Sequence, residues 1–129
     1  MDLLTELLKA QDNKQDISFK FGDQEYTWYF KYLTLLEKVR IDDMTIKHTT
    51  MIKEDGSKIE KREKQEHLIP IHTIIEKALD KDGNRLFSHT NPQHFKTIAN
   101  MPAALASLLA YEMSKDVFGT FAPKAEDGE

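Results

Sequence analysis

Two short stretches in which aromatic and polar residues alternate predict a β-hairpin near the amino terminus. They are ISFKF at 17–21 and EYTWYFKYL at 25–33, and a turn that contains a glycine separates them. Alternation of this kind is typical of strands that bury one face. The residues expected on one face of each strand are Ile17, Phe19, Phe21, Tyr26, Trp28 and Phe30.

Apolar residues at helical spacing predict a helix on either side of this hairpin. Asp2 can cap the first helix, which carries a stripe of leucines over 3–8. So short a helix is marginal alone and must dock on its own domain or on another subunit. The second helix begins at Thr34, where a glutamate three residues later completes a capping box, and it extends to about Asp43. The β-branched run 45–50 that follows is compatible with either a helix or a strand.

Three more helices are predicted in the second half of the chain, and a proline stands near the start of each. Their approximate ranges are 68–80, 92–99 and 103–118. Leucine, alanine and methionine cover a wide arc of the last helix. That apolar surface must be buried, either inside the domain or against a partner.

A charge-dense segment at 53–66 interrupts the apolar pattern. Its five basic and five acidic residues cancel, which disfavours a nucleic-acid-binding arm. An exposed loop or a protruding hairpin around Asp55 and Gly56 fits this composition. Together the elements predict one α+β domain over 1–122, mostly helical with an N-terminal β-hairpin, and a disordered acidic tail at 123–129.

Composition narrows the range of functions. The 129-residue chain has a net charge of −4, whereas a nucleic-acid binder needs a dense basic face. The absence of cysteine removes disulfides and thiolate metal sites and fits a reducing compartment. No apolar run is long enough to cross a membrane, and the first residues lack the pattern of a signal peptide. We therefore expect neither nucleic acid nor a membrane as a partner.

The segment LDKDGNRLF at 79–87 has the oxygen-bearing residues of a calcium loop at alternate positions from Asp80 to Asn84. Such a loop requires glycine at its sixth position and glutamate at its twelfth. Arg85 and Asn91 occupy those two positions. The segment is therefore predicted to end a helix with a turn rather than to bind a cation.

The five histidines do not form a recognisable catalytic or metal site. His67 and His72 are five residues apart and lie off a common helical face. His89 and His94 have a zinc-finger-like spacing without the cysteines that would complete a site. The sequence also lacks a nucleophile elbow and a phosphate-binding glycine loop. It therefore predicts a protein without catalytic activity or cofactor, and a small hydrolase or nuclease that uses His89, His94 and nearby acids is a less favoured alternative.

Three short motifs occur in order along the chain. They are F-x-F-G-x-x-x-Y-x-W in the hairpin, L-T-x-x-E-K-x-R-I at 33–41 and L-x-K-D-G-x-x-L-F-S at 79–88, and a proline-started apolar helix follows them. This order, which covers about 17–118, resembles that of the tail assembly chaperones of lambda-like long-tailed bacteriophages. The charged segment at 53–66 is longer than is typical of that family.

The resemblance implies a function in protein assembly. Chaperones of this family bind the long, helical tape measure protein in the host cytoplasm, keep it soluble and help to recruit tail tube protein around it. Many such phages also make a C-terminally extended form by ribosomal frameshifting, and the chaperones are absent from the mature virion. Binding of many copies along a filament further predicts a homo-oligomer. Another phage structural or tail-completion protein is the alternative within the same class.

A chaperone for a long amphipathic helix is expected to use helix-in-groove or helix-on-helix packing. The first and last predicted helices carry the candidate partner-binding residues, although both apolar stripes are also compatible with a role in the core. The candidates are Leu3, Leu7, Leu105, Leu108, Leu109 and Met113.

Overall fold

The elements follow the predicted order, and the structure contains a second β-hairpin in addition to the predicted one. The computed structural model describes residues 2–115. Its elements are α1 (Leu3–Gln11), β1 (Lys14–Phe21), β2 (Gln24–Lys31), α2 (Leu35–Met44), β3 (Ile46–Ile52), β4 (Lys58–Lys64), α3 (Ile69–Lys77), α4 (Pro92–Ala99) and α5 (Ala103–Ser114). One turn of 3₁₀ helix at Glu66–Leu68 precedes α3. Five α-helices and two antiparallel hairpins make up this part of the chain, which confirms the predicted α+β class.

Capping side chains fix the starts of α1 and α2, as predicted. The Asp2 carboxylate accepts the N–H of Thr5 at 2.8 Å, and this bonding lowers the pKa of Asp2. Thr34 Oγ1 accepts the N–H of Glu37 at 3.1 Å, and the Glu37 carboxylate accepts the N–H of Thr34 at 3.0 Å. Each cap satisfies a backbone N–H that the helix leaves unpaired, and so stabilises the first turn.

The two strands of the first hairpin pair so that their apolar faces coincide. Ile17 lies opposite Trp28, and Phe19 lies opposite Tyr26. The rings of Phe19 and Trp28 meet edge to face, with centroids 4.9 Å apart. Phe30, at the end of the hairpin remote from its turn, is buried. The hairpin therefore forms one wall of the core, on the face that its alternating residues predict.

The core is centred on α3. Ile74 and Ile75 are fully buried, and α3 packs against α2, α4 and α5. A helix with apolar residues on several sides needs partners on more than one side. Helix α5 supplies Leu109 and Met113 to this cluster, and α4 supplies Ile98.

Helix α3 ends at Lys77, three residues before its predicted end at 80. Ala78 is extended, and the backbone of Leu79 exchanges two hydrogen bonds with Tyr29 of β2, at 2.9 and 2.7 Å. This bridge ties the end of the helix to the hairpin and satisfies the backbone groups of Leu79 there. Because apolar residues at 78 and 79 suit either conformation, their spacing does not distinguish a longer helix from the bridge.

The predicted turn follows directly. Asp80 Oδ1 accepts the N–H groups of Asp82 and Asn84, both at 2.9 Å. The hydrogen bond from Asn84 is the main cause of the lowered pKa of Asp80. Two apolar residues after the turn pack against the core: Leu86 and Phe87.

Gly83 is the position in this turn where the backbone itself demands a particular residue. Its φ is 85°, and a Cβ there would meet no atom within 4 Å, so the cost of a side chain is conformational alone. We expect Gly83→Ala to lower the free energy of unfolding by about 1 kcal/mol. Gly83→Asn should lower it less, because asparagine tolerates positive φ better. Urea denaturation checks both variants, and equal losses would contradict this explanation.

Residues 46–64 form the second hairpin, which resolves both open alternatives in this region. The run 45–50 contributes to β3 rather than to a helix, and the charged segment contributes to β4. The tip is a tight turn in which the N–H of Gly56 bonds to the carbonyl of Lys53 at 2.9 Å. Asp55 accepts hydrogen bonds from the side chain and backbone of Ser57, which lower the pKa of Asp55. Every residue of β4 is exposed.

Helix α5 ends at Ser114, whereas the sequence predicts a helix to 118. Residues 116–118, the end of the predicted domain at 122 and the predicted tail at 123–129 lie outside the described residues. Among residues 2–115, no helix combines the length and the apolar character needed to span a membrane.

Candidate protein-binding surfaces

An apolar groove lies between the first hairpin and the helices α4 and α5. Its volume is about 320 Å³. Aromatic residues and one leucine form most of its walls: Phe19, Phe21, Tyr26, Trp28, Phe87 and Leu105. Residues of α4 and the loop after it, including Thr97, Asn100 and Met101, form the remaining edge. This volume is in the range of natural ligand-binding clefts, which are roughly 300–1,000 Å³.

Aromatic packing holds the walls of this aromatic groove in place. Phe19 stacks on Tyr26 with centroids 5.7 Å apart, and Trp28 meets Phe87 edge to face at 5.4 Å. Such pairs contribute about 0.5–1.5 kcal/mol beyond their burial. Phe21 and Tyr26 nevertheless remain largely exposed. The groove therefore presents a pre-formed apolar surface to solvent.

Helix α1 presents a second apolar surface, the α1 leucine stripe, defined as Leu3, Leu4, Leu7 and Leu8. Leu3 is 72% exposed and Leu7 is 44% exposed. No residue of α1 is buried. The predicted stripe is thus present, and in this chain it covers no part of the core.

The four candidate residues of the last helix separate into two groups. Leu105 lines the aromatic groove, and Leu108 is 49% exposed beside Tyr111, which is also exposed. Leu109 and Met113 are 0% and 1% exposed and belong to the core cluster. The prediction that Leu109 and Met113 contact a partner is therefore corrected: both belong to the core. The physical reason is that the arc facing α3 must be filled by the helix itself.

A buried carboxylate that no sequence motif indicates links α2, α3 and the segment after the 79–87 turn. The Glu76 side chain is 4% exposed. It lies 2.8 Å from Arg40 Nη1, 2.8 Å from His89 Nε2 and 3.8 Å from Arg85 Nη2. A buried charge requires partners of this kind. The only local signal is a charged Glu-Lys pair at the end of a helix rich in isoleucine.

Lys77, the residue after Glu76, forms a second buried ionic contact. Its side chain is 6% exposed, and Nζ lies 2.7 Å from the Glu37 carboxylate. Nζ also donates to the carbonyl of Tyr32 at 3.1 Å. The same Glu37 completes the cap of α2, so one side chain joins the start of α2 to the end of α3.

The histidines considered for hydrolysis are held by separate groups. His89 Nε2 bonds to Glu76, and His94 Nδ1 accepts the N–H of Ser88 at 3.0 Å. An activated nucleophile needs its hydroxyl within reach of a base, whereas the hydroxyl of Ser88 bonds to that of Thr90 at 2.8 Å. In residues 2–115 no group of three or more histidine or acidic side chains is placed to hold a metal ion. None of these contacts favours the hydrolase or nuclease alternative.

His72 gives the fold a predicted dependence on pH. Its ring lies 5.6 Å from that of His89 and 5.5 Å from that of Phe95. Burial, and secondarily the nearby His89, lowers the pKa of His72. The folded state therefore binds fewer protons here than the unfolded state, so the free energy of unfolding should fall as the pH drops below the ordinary histidine range.

Denaturation of the wild-type chain and of His72→Gln between about pH 7.5 and 5.5 measures this contribution. The variant should lose less stability over the interval than the wild type. Equal losses would contradict the assignment to His72.

Comparisons of the chain with protein-family models, with curated proteins and with solved structures find no match. The functional interpretation therefore depends on the aromatic groove, the α1 leucine stripe and the motifs of the sequence.

Proposed function

We propose that this chain is a tail assembly chaperone of a long-tailed bacteriophage, which binds its tape measure protein and assists assembly of the tail tube. The observation that carries the proposal is the open aromatic groove, about 320 Å³ in volume and bounded by Trp28, Phe87 and Leu105. The order of the sequence motifs favours the tape measure protein as the partner. The groove offers an apolar surface to which a helix of that protein can bind.

A tape measure protein is long and helical, so free copies expose apolar stripes to water. An amphipathic helix binds a groove by inserting apolar side chains from successive turns. Aromatic walls suit this task because they offer a large apolar area at a small entropic cost. Binding of this kind covers the stripe and so opposes aggregation of the free protein.

The remaining features are compatible with a transient binding role. The exposed Leu108 and the α1 leucine stripe extend the apolar area available to partners. Glu76 and Lys77 each have buried partners that link structural elements, and we assign them to stability rather than to catalysis. We further propose that the protein acts as a homo-oligomer in the host cytoplasm, that a longer form contacts the tail tube protein, and that the mature virion lacks it.

Co-expression with the tape measure protein of the same phage tests the proposal. The soluble yield of the tape measure protein should rise, and the two proteins should co-purify. Thr97→Arg places a long cation at the exposed α4 edge of the groove, and it should reduce both effects. Gln93→Arg, one helical turn away and also exposed, is the matched control and should not. Unchanged solubility without co-purification would refute the proposed function.

Purified virions distinguish the chaperone from another phage structural or tail-completion protein. Mass spectrometry of purified virions should not detect a chaperone. A fixed number of copies in each particle would favour the structural alternative.

A further inference from the structure

The second hairpin offers a free strand edge. In residues 2–115 its sheet contains only β3 and β4, and every residue of β4 is exposed. A hairpin of two strands is at best marginally stable in water. Unpaired N–H and C=O groups along such an edge form a template for another strand. The outer edge of β4 is therefore a candidate contact with another chain.

The two ends of the hairpin show which backbone groups of β4 point outwards. The N–H of Lys53 bonds to the carbonyl of Ser57 at 2.8 Å, and the N–H of Gln65 bonds to the carbonyl of Thr45 at 2.8 Å. Because bonded and non-bonded pairs alternate along an antiparallel ladder, the odd-numbered residues of β4 bond to β3. The even-numbered residues of β4 therefore direct their N–H and C=O groups away from β3, where a further strand can bond to them.

The charges along β4 match those of a second, antiparallel copy of the same strand. Residues 58–64 read Lys-Ile-Glu-Lys-Arg-Glu-Lys. With a two-fold axis at Arg62, Glu60 lies opposite Lys64 of the second copy, and Lys61 lies opposite Glu63 of the second copy. The axis runs perpendicular to the sheet, so both members of each pair project on the same face. Each of these pairs occurs twice by symmetry, whereas the like-charged pair of Arg62 with itself occurs once.

Neighbouring registers of the same symmetric pairing lack this match. An axis moved to residue 61 places Lys58 opposite Lys64, and an axis at residue 60 places Lys58 opposite Arg62. An axis at residue 63 places Arg62 opposite Lys64. Like charges directly opposite each other are destabilising in a sheet, and opposite charges are stabilising. The charges of β4 therefore favour the register centred on Arg62.

We propose that two copies of this chain associate through the outer edges of β4, antiparallel around Arg62, to form one four-stranded sheet. Charged side chains on an edge strand usually prevent such pairing, but a second copy presents the complementary charges. The outer edge of β3 carries no acidic residue over 46–52 and offers no comparable match. Two-fold pairing of this kind closes, as most homo-oligomers do. It gives the proposed homo-oligomer a specific contact that does not use the aromatic groove.

Charge reversal, followed by sedimentation of the full chain over a range of concentrations, tests the register. The wild type should associate, and added salt should weaken the association because the paired charges are exposed. Glu60→Lys and Lys64→Glu should each weaken self-association by about 10-fold, since each variant places like charges opposite each other at two symmetric positions. An equimolar mixture of the two variants should regain the association of the wild type, because each reversed residue then faces an opposite charge.

The mixture also separates a lost contact from a lost fold, since two unfolded variants would not restore each other. Glu25→Lys provides the control for net charge. This exposed position lies on β2 of the first hairpin, and the variant changes the net charge by the same amount as Glu60→Lys. It should associate like the wild type.

An engineered cysteine identifies the axis itself, because the natural chain has none. Residue 62 faces its own copy across the axis, where the Cα atoms of a bonded antiparallel pair are about 5.5 Å apart. A disulfide can bridge that distance. Arg62→Cys should therefore form a covalent dimer on mild oxidation. Thr50→Cys is exposed on β3, away from the outer edge of β4, and should form far less dimer.

A wild-type chain that remains monomeric at all concentrations would overturn the inference. Association that Glu60→Lys leaves unchanged, a mixture that associates no better than either variant alone, or equal covalent dimer from Arg62→Cys and Thr50→Cys would do the same. These outcomes are separate from the test of the proposed function. A chain that pairs through β4 yet fails to co-purify with the tape measure protein would refute only the proposed function.

Discussion

Replacing Glu37 with alanine should lower the free energy of unfolding by about 3 kcal/mol. The reason is that Lys77 is 6% exposed and its Nζ lies 2.7 Å from the Glu37 carboxylate. Removal of the carboxylate leaves a buried ammonium that keeps its hydrogen bond to the carbonyl of Tyr32 but has lost its ion pair with Glu37. The variant also loses the half of the α2 cap in which Glu37 accepts the N–H of Thr34. Urea denaturation followed by circular dichroism measures the loss.

Two further variants distinguish the contribution of the buried charge from the other causes of the stability loss in Glu37→Ala. Lys38→Ala removes an exposed pair with Asp42 at 3.4 Å and should cost less than about 0.5 kcal/mol. Adding Lys77→Met to Glu37→Ala removes the unpaired charge and should recover part of the stability. A Glu37→Ala variant no less stable than Lys38→Ala would show that the contact contributes little.

Truncation of Ile74 to alanine should be comparably severe, with a loss of about 3 kcal/mol. Ile74 is fully buried in the cluster that joins α3 to α5, α4 and the first hairpin. The loss combines the transfer of the removed methyl groups with the cavity that remains. Since small domains are stable by only about 5–15 kcal/mol, such a loss is a large fraction of the total.

The exposed Ile52 of β3 provides the matched control for this truncation. Ile52→Ala makes the same chemical change outside the core and should alter stability by less than about 0.5 kcal/mol. Similar losses at the two positions would contradict the placement of the core around α3.

Features encoded by neighbouring residues could be predicted from the sequence. The faces of the first hairpin follow from alternation, because successive side chains of a strand point to opposite sides. The caps at Asp2 and Thr34 follow from side chains that satisfy N–H groups three residues away. The turn after Leu79 follows from an aspartate that bonds two later N–H groups and a glycine with positive φ.

Features that depend on contacts between distant segments could not be predicted in this way. Helix α3 ends early because Leu79 pairs with Tyr29, fifty residues before it in the chain. The division of α5 between core and surface depends on where α3 lies, so Leu109 and Leu108 have the same sequence signal and different environments. The ionic contacts of Glu76 depend on the same tertiary arrangement.

The aromatic groove is the clearest example of a feature that depends on contacts between distant segments. Its walls come from the hairpin, the end of the 79–87 segment, α4 with the loop after it, and the start of α5. In the sequence, the aromatic residues of the hairpin indicate only a buried strand face. The groove exists because Phe87 and Leu105 approach that face without covering Phe21 and Tyr26.

The most direct test of the chaperone proposal is a fluorescence titration of the single tryptophan, Trp28, which lines the groove. Synthetic amphipathic helical segments of the tape measure protein are titrated into the wild-type chain and into Thr97→Arg. The proposal predicts a saturable change in Trp28 emission for the wild type and weaker binding for the variant. The absence of binding, or saturable binding that leaves Trp28 emission unchanged, would contradict the claim that this groove receives the tape measure protein.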